Sequence, residues 1–264
     1  LIPFTFVDHT HADAIVTISN SVKSKEILEQ IYPENFLILP YVMPGFDLAK
    51  QVHQATQAVD WSRLEAIILL NHGVFTFDHD GMKSYEKMLA VVKVAEDYLA
   101  QNTNIEMVDG TRKHDVSAIM PPLRACKGHD LVMLVNTSPI AQTFASRSDL
   151  TIAQAGVLTP EHIIRTKQMP VIFDEHYAED IEDFARNYMG YFHRHAKNEI
   201  MLNPCPNWGI LKGMGTISFG KTEKEAQLIQ DINNHTMTAM LRAEQLGGYV
   251  SLNEADSFAM EYWE

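Results

Sequence analysis

The sequence predicts an α/β protein built from two related halves. Three observations predict it. Short apolar runs of strand character, clearest in Glu65-Ala66-Ile67-Ile68-Leu69-Leu70, alternate with segments of helical period. An apolar content of 46% over 264 residues is enough to fill a core of that size. Finally, Asn71 to Phe77 followed by a long helical pattern returns 142 residues later as Gly213 to Phe219 followed by another, chance similarity between two ordinary strand–turn–strand–helix units being the alternative.

In chain order, Phe4 to Asp8 reads as a strand from its aromatic and β-branched content. Ala12 to Ser19 and Lys23 to Tyr32 read as helices, and Phe36 to Leu39 as a short buried strand. Pro40 to Gly45 reads as a loop, after which Asp47 is positioned to cap a helix from Leu48 to about Ala58. Glu65 to Leu70 is a strand, Asn71-His72-Gly73 a turn, and Val74 to Phe77 the returning strand. A long helix follows from Gly81 to about Gln101, with Tyr85, Met88, Val92, Ala95 and Leu99 as its buried stripe. Residues 102–117 are polar and aperiodic, so they read as a linker or surface loop between a half at 1–101 and a half at 118–264.

The second half begins with a helix, then a strand at Leu131 to Val135 and a helix from about Pro139. Thr159-Pro160-Glu161 opens another helix. Val171 to Phe173 is a strand, Glu179 to Lys197 a helix, and Ile210-Leu211 and Thr216 to Phe219 flank a glycine turn. Thr222 to Leu246 is the longest helix, stopped by Gly247-Gly248. Val42-Met43-Pro44 before Asp47 echoes Gln168-Met169-Pro170 before Asp174. His9-Thr10-His11 has its counterpart in Asn136-Thr137-Ser138. On that alignment the second half carries Asn136, Ser138 and Met214 where the first has His9, His11 and His72, so it is expected to be a silent copy.

Composition excludes several function classes. Lysine and arginine number 21 against 34 aspartates and glutamates, a net charge of −13. No broad nucleic-acid or anionic-membrane surface is expected from that balance, although a local basic pocket for a phosphate ester is compatible with it. No apolar run approaches the ~18 residues of a membrane span, and no secretory leader is visible. Cys126 and Cys205 lie 79 residues apart without ligand spacing. They are expected to be free thiols of a cytoplasmic protein. The chain opens on Leu1 directly into a strand, which predicts further residues in front; residues behind Glu264 are a further expectation.

The chemistry is concentrated in histidines. Residues i and i+2 of a strand share a face, so His9 and His11 can address one ion. His72 precedes Gly73 at a sharp turn, and if the two strands are sheet neighbours, three imidazoles converge with an open position, as a catalytic zinc requires. From the residues alone, hydrogen-bonded core or surface histidines stand beside that reading. Asp8 and Asp13 flank the pair and are candidates to orient a ligand imidazole. His193 and His195 repeat the spacing, but on a helix they point about 200° apart. Gly213-Met214-Gly215 lacks the third glycine of a phosphate cradle, and Ser218 with Lys221 makes no catalytic pair.

Phe6-Val7-Asp8-His9-Thr10-His11-Ala12-Asp13 and Leu69-Leu70-Asn71-His72-Gly73-Val74-Phe75, in this order and spacing, resemble the class II aldolase/adducin family. Tyr41-Val42-Met43-Pro44-Gly45-Phe46-Asp47-Leu48-Ala49, Thr159-Pro160-Glu161-His162-Ile163-Ile164-Arg165-Thr166-Lys167 and the stretch from Gly247 to Trp263 resemble a bacterial subgroup. In that subgroup a rhamnulose-1-phosphate aldolase half precedes a short-chain alcohol dehydrogenase.

The resemblance implies an α/β/α sandwich and a Zn2+ ion, or another divalent metal, held by His9, His11 and His72. It implies retro-aldol cleavage of a small phosphorylated sugar, rhamnulose 1-phosphate, to dihydroxyacetone phosphate and lactaldehyde. The metal would chelate the keto and hydroxyl oxygens and stabilise the enediolate. A pentulose-phosphate 4-epimerase and a non-enzymatic adducin-like interaction domain are the alternatives. The family's acid/base residue and phosphate loop would fall before Leu1, so the catalytic residues are unassigned. A homo-oligomer and a C-terminal NAD-dependent dehydrogenase beyond Glu264 are further implications.

Overall fold

The computed structural model describes residues 1–32 and 34–263. It divides into two compact units. The first comprises Leu1–Asn104, Leu158–Pro160 and Arg242–Ser251; the second comprises Ile105–Val157, Glu161–Leu241 and Leu252–Glu264, of which Glu264 lies outside the described residues.

The first unit contains β1 (Phe6–Thr10), α1 (Asp13–Ser19), α2 (Ser24–Ile31), β2 (Phe36–Leu39), α3 (Phe46–Ala55), β3 (Ala66–Leu69), β4 (Gly73–Asp78) and α4 (Gly81–Asn102). Its sheet runs β1-β4-β3-β2, with β2 parallel to β3 and the other pairs antiparallel. Strand alternation splits β3 between two cores. Ala66 and Ile68 face Ile15, Ile18, Met88 and Leu99, whereas Ile67 and Leu69 face Leu48, Val52 and Phe77. Helices therefore cover both faces of the sheet, as in an α/β/α sandwich. Each fully buried isoleucine stabilises this arrangement by about 1.5–3 kcal/mol.

The second unit contains α5 (Met120–Lys127), β5 (Val132–Asn136), α6 (Pro139–Ala145), α7 (Ile163–Thr166), β6 (Val171–Phe173), α8 (Tyr177–His195), β7 (Trp208–Leu211), β8 (Gly215–Gly220), most of α9 (Glu223–Gln245) and α10 (Glu254–Glu261). Its sheet runs β5-β8-β7-β6, again with one parallel pair, β6 with β7. The two sheets thus share strand order and strand direction. The hairpins correspond residue for residue, Leu69 opposite Gly73 in one and Leu211 opposite Gly215 in the other.

Several expectations need correction. Gly45, at φ 95°, takes the cap position of α3, and Asp47 sits inside the first turn, where its charge still favours the positive helix end. The buried stripe of α4 is Ser84, Met88, Val91, Ala95 and Leu99, while Tyr85 is exposed. The Thr159 helix is only a 3-10 turn at Pro160–His162 and the single turn of α7, ended by Lys167 at φ 61°. The Met-Pro echo is not structural, because Met43-Pro44 follows β2 whereas Met169-Pro170 precedes the equivalent β6. Helix α10 was not predicted; the signal was Asn253, whose side chain accepts from the Asp256 amide at 2.8 Å, ahead of an acidic first turn.

Cys126 and Cys205 are not free thiols. They form a disulfide with their Cα atoms 5.9 Å apart. The pairing was hidden because a sequence separation of 79 says nothing about distance until β7 and α5 are placed. Among the described residues, no helix is long and apolar enough to cross a membrane.

Candidate metal centre

Three histidines meet at the β1–β4 end of the first sheet. His9 lies in β1, His11 just beyond it, and His72 in the turn entering β4. Their ring centroids form a near-equilateral triangle, 4.9 Å for His9–His11, 5.2 Å for His9–His72 and 4.9 Å for His11–His72, all edge to face. One ligand nitrogen from each lies within 4.8 Å of the others. Among the described residues this is the one group of three or more histidines, cysteines or carboxylates with that geometry.

The backbone explains the convergence. Asn71 adopts φ 57°, a conformation asparagine tolerates better than most residues. Its side-chain amide donates to Asn20 Oδ1 at 2.7 Å and to the Val250 carbonyl at 3.1 Å. The Asn71 amide donates to Ser19 Oγ at 3.3 Å. The turn that carries His72 is therefore fastened on both sides. Gly73 then lets β4 close on β1. A Cβ there would lie 2.4 Å from the Thr10 carbonyl oxygen, 3.0 Å from His11 Cδ2 and 3.2 Å from His9 Cε1. Only hydrogen fits against both imidazoles, a role the sequence showed as no more than a turn glycine. Gly73→Ala is expected to force the His9–His11 segment outward and weaken divalent-metal binding at least about tenfold. Isothermal titration of the variant with zinc checks this, and unchanged affinity would refute it.

His9 stacks on Phe75 with centroids 4.2 Å apart, and its Nδ1 lies 3.0 Å from the Val74 carbonyl oxygen. A carbonyl only accepts, so Nδ1 carries the proton and Nε2 presents its lone pair. That Nε2 faces His11 Nε2 at 3.1 Å. Two imidazole nitrogens on one tetrahedral ion at about 2.0–2.1 Å would stand about 3.3 Å apart, so this pair is already spaced for a shared cation. The orienting group for His9 is a backbone carbonyl, not a carboxylate. Asp8 alternates to the opposite face of β1.

Electrostatics favour uncharged imidazoles. Burial, and then the neighbouring His11 and His9, push His72 down to about 3; burial also lowers His11. Neutral imidazole is the form a metal needs. Because the folded value for His72 lies below the ordinary 6.5, its stabilising contribution is complete above pH 6.5 and is lost as pH falls toward 3. Metal-free protein should therefore lose thermal stability over that acidic window, as a melting series from pH 7 to 3.5 would show. No loss beyond that of a His72→Gln variant would contradict it.

The remaining candidates separate. His193 is exposed on α8, while His195 Nε2 lies 2.6 Å from Glu254 Oε1, so the pair shares nothing. The corresponding place in the second unit is corrected by the strand register. Thr10 opposes Val74 as Asn136 opposes Thr216, and a Cβ on Gly215 would strike the Asn136 carbonyl oxygen as one on Gly73 strikes that of Thr10. The equivalents of His9, His11 and His72 are thus Val135, Thr137 and Met214, one residue earlier than Asn136 and Ser138 for the first two. None of the three corrected positions offers an imidazole.

The family model for the class II aldolase and adducin N-terminal domain matches residues 3–99. That for aldolase class II, second domain, matches residues 114–264. The chain is 27% identical over 288 residues to a Bacillus subtilis (strain 168) protein named Uncharacterized oxidoreductase YuxG, covering 99% of this chain and 42% of that one. The chain thus spans less than half of that relative's length. A solved N-terminal class II aldolase domain of a conserved protein from Thermoplasma acidophilum is 35% identical over 37% of this chain and 43% of its own, with a TM-score of 0.33. With the two family models together reaching from residue 3 to residue 264, the chain belongs to the class II aldolase/adducin family.

Proposed function

We propose that the chain is the lyase part of a zinc-dependent aldolase that cleaves a deoxy-ketose 1-phosphate, rhamnulose 1-phosphate, to dihydroxyacetone phosphate and lactaldehyde. The convergence of His9, His11 and His72 carries this reading. The donor set suits a divalent ion of borderline softness, and three protein ligands leave a position for substrate. When bound, zinc supplies positive charge at the ketose oxygens where negative charge develops.

The chain's own residues do the positioning. The Val74 carbonyl fixes the His9 tautomer, the Phe75 ring fixes its plane, and burial holds His72 uncharged. His9 is exposed, which keeps one side of the triad open to a small sugar phosphate. No carboxylate belongs to the triad, so the acid/base residue stays unassigned. The B. subtilis relative is named an oxidoreductase and is more than twice this length, which supports a fused NAD-dependent dehydrogenase acting on the released aldehyde. A homo-oligomer completes the reading.

The test is metal analysis of the complete gene product followed by a coupled assay for dihydroxyacetone phosphate. About one zinc per chain, with cleavage lost on chelation and restored by zinc, is expected. Epimerisation of a pentulose phosphate without cleavage would replace the reading with the 4-epimerase. No metal after zinc loading would replace it with an adducin-like interaction domain.

A further inference from the structure

The second unit holds a buried amine that shares no residue with the histidine triad. Lys167 follows α7 at φ 61°, a region that a long side chain occupies only when its surroundings impose it. The residue is 5% exposed. Its Nζ lies 3.5 Å from the centroid of the Tyr188 ring and 3.7 Å from Glu261 Oε1. Among the described residues, the contacts of its three N–H donors are this long ion pair and the ring face. Glu261, itself buried, accepts from the Tyr188 hydroxyl at 2.8 Å, which is also 2.6 Å from the Tyr262 hydroxyl.

Lys167 and Tyr188 line a cavity of about 340 Å³ together with Gln154, Gln168, Asn187 and Tyr191. That volume suits a small metabolite. All these residues belong to the second unit.

A buried lysine kept only for stability has its donors satisfied at short range. Lys127, half-buried in this unit, shows that arrangement. Its Nζ donates to Asn207 Oδ1 at 2.6 Å and to the Cys205 carbonyl at 3.3 Å. Burial lowers both amines, Lys127 to about 7 and Lys167 to about 8, so titration does not separate them. Coordination does: among the described residues Lys127 is tied by short hydrogen bonds, whereas Lys167 holds one longer ion pair at the wall of an open cavity.

We propose that Lys167 is a nucleophilic amine that condenses reversibly with a small aldehyde or ketone admitted to this cavity. The ammonium passes one proton to Glu261, whose carboxyl burial has made more basic. The Nζ lone pair then bonds to the carbonyl carbon, and a second N–H proton moves to the carbonyl oxygen. Glu261 returns its proton as the C–O bond breaks. Ammonium and carbonyl compound thus give a protonated imine and one water, with charge conserved and no oxidant or reductant required. Tyr188 holds the Glu261 carboxylate in place, Tyr191 from the same helix faces it, and burial favours the neutral amine of Lys167 against the opposing pull of Glu261.

The experiment treats the full protein with glyceraldehyde and sodium borohydride near pH 7.5 and maps modified lysines by peptide mass. Lys167 is expected to be alkylated about tenfold faster than the exposed Lys25 and Lys93, the larger fraction of free amine outweighing its lower basicity. Its rate should reach half-maximum near pH 8, below the ordinary lysine value of about 10.4. Lys167→Arg should lose that product while retaining the metal content of the histidine triad. Labelling of Lys167 no faster than Lys25 in the unmodified protein would overturn the proposal, whether or not the variant folds and whatever the metal centre does.

Discussion

His72→Ala is expected to lower zinc affinity by at least about 100-fold while leaving the fold near its original melting temperature. Removing a partner that merely orients a ligand costs about 10–100-fold, and removing the ligand itself exceeds that. The fold should survive because the turn is held by Asn71 through Ser19, Asn20 and Val250. The variant has a second signature that unfolding cannot imitate. His72 disfavours its own protonation in the folded chain, so its loss removes a source of acid sensitivity below pH 6.5. Metal-free His72→Ala should therefore melt higher than metal-free parent protein near pH 4, even as it fails to bind zinc at pH 7.5. Elemental analysis and a pair of melting curves decide this, and equal zinc content in both proteins would end the metal-centre reading.

Breaking the Cys126–Cys205 disulfide is expected to destabilise the second unit by about 4 kcal/mol, a drop of about 10 °C or more in its melting temperature. The bond closes a chain segment spanning 79 positions that contains β5, β6 and α8, so it removes much conformational freedom from the unfolded state. Thermal denaturation with and without a phosphine reductant tests the effect. Thiol titration of the unreduced, denatured protein tests the premise, and two titratable thiols would sink it. The bond also removes one argument for a reducing compartment, since disulfides are uncommon in cytosolic proteins of mesophiles.

Much of the secondary structure was legible because local patterns decide it. Phe36–Leu39 and Val171–Phe173 are strands with the predicted limits, and α6 starts at Pro139 as expected. The three histidines were legible as a group because a strand places alternate residues on one face and a glycine turn exposes its neighbour. What failed depended on register or on distant partners. Equating His9 with Asn136 was off by one position, and a slip of one residue in a strand exchanges its two faces. Gly73 looked like turn chemistry until the Thr10 carbonyl stood against it. The unusual backbone at Lys167 and the partnership of Lys167 with Glu261, 94 positions later in sequence, had no local signal at all.

The matched strand order of the two sheets makes the molecule its own blank. Each sheet repeats the other in strand order, hairpin register and the glycine that lets the fourth strand of the unit approach the first, yet only one carries imidazoles at the three aligned positions. Any ion that binds through backbone or fold alone would register twice per chain. A stoichiometry of one reports the side chains, and the protein needs no separate reference to make that distinction.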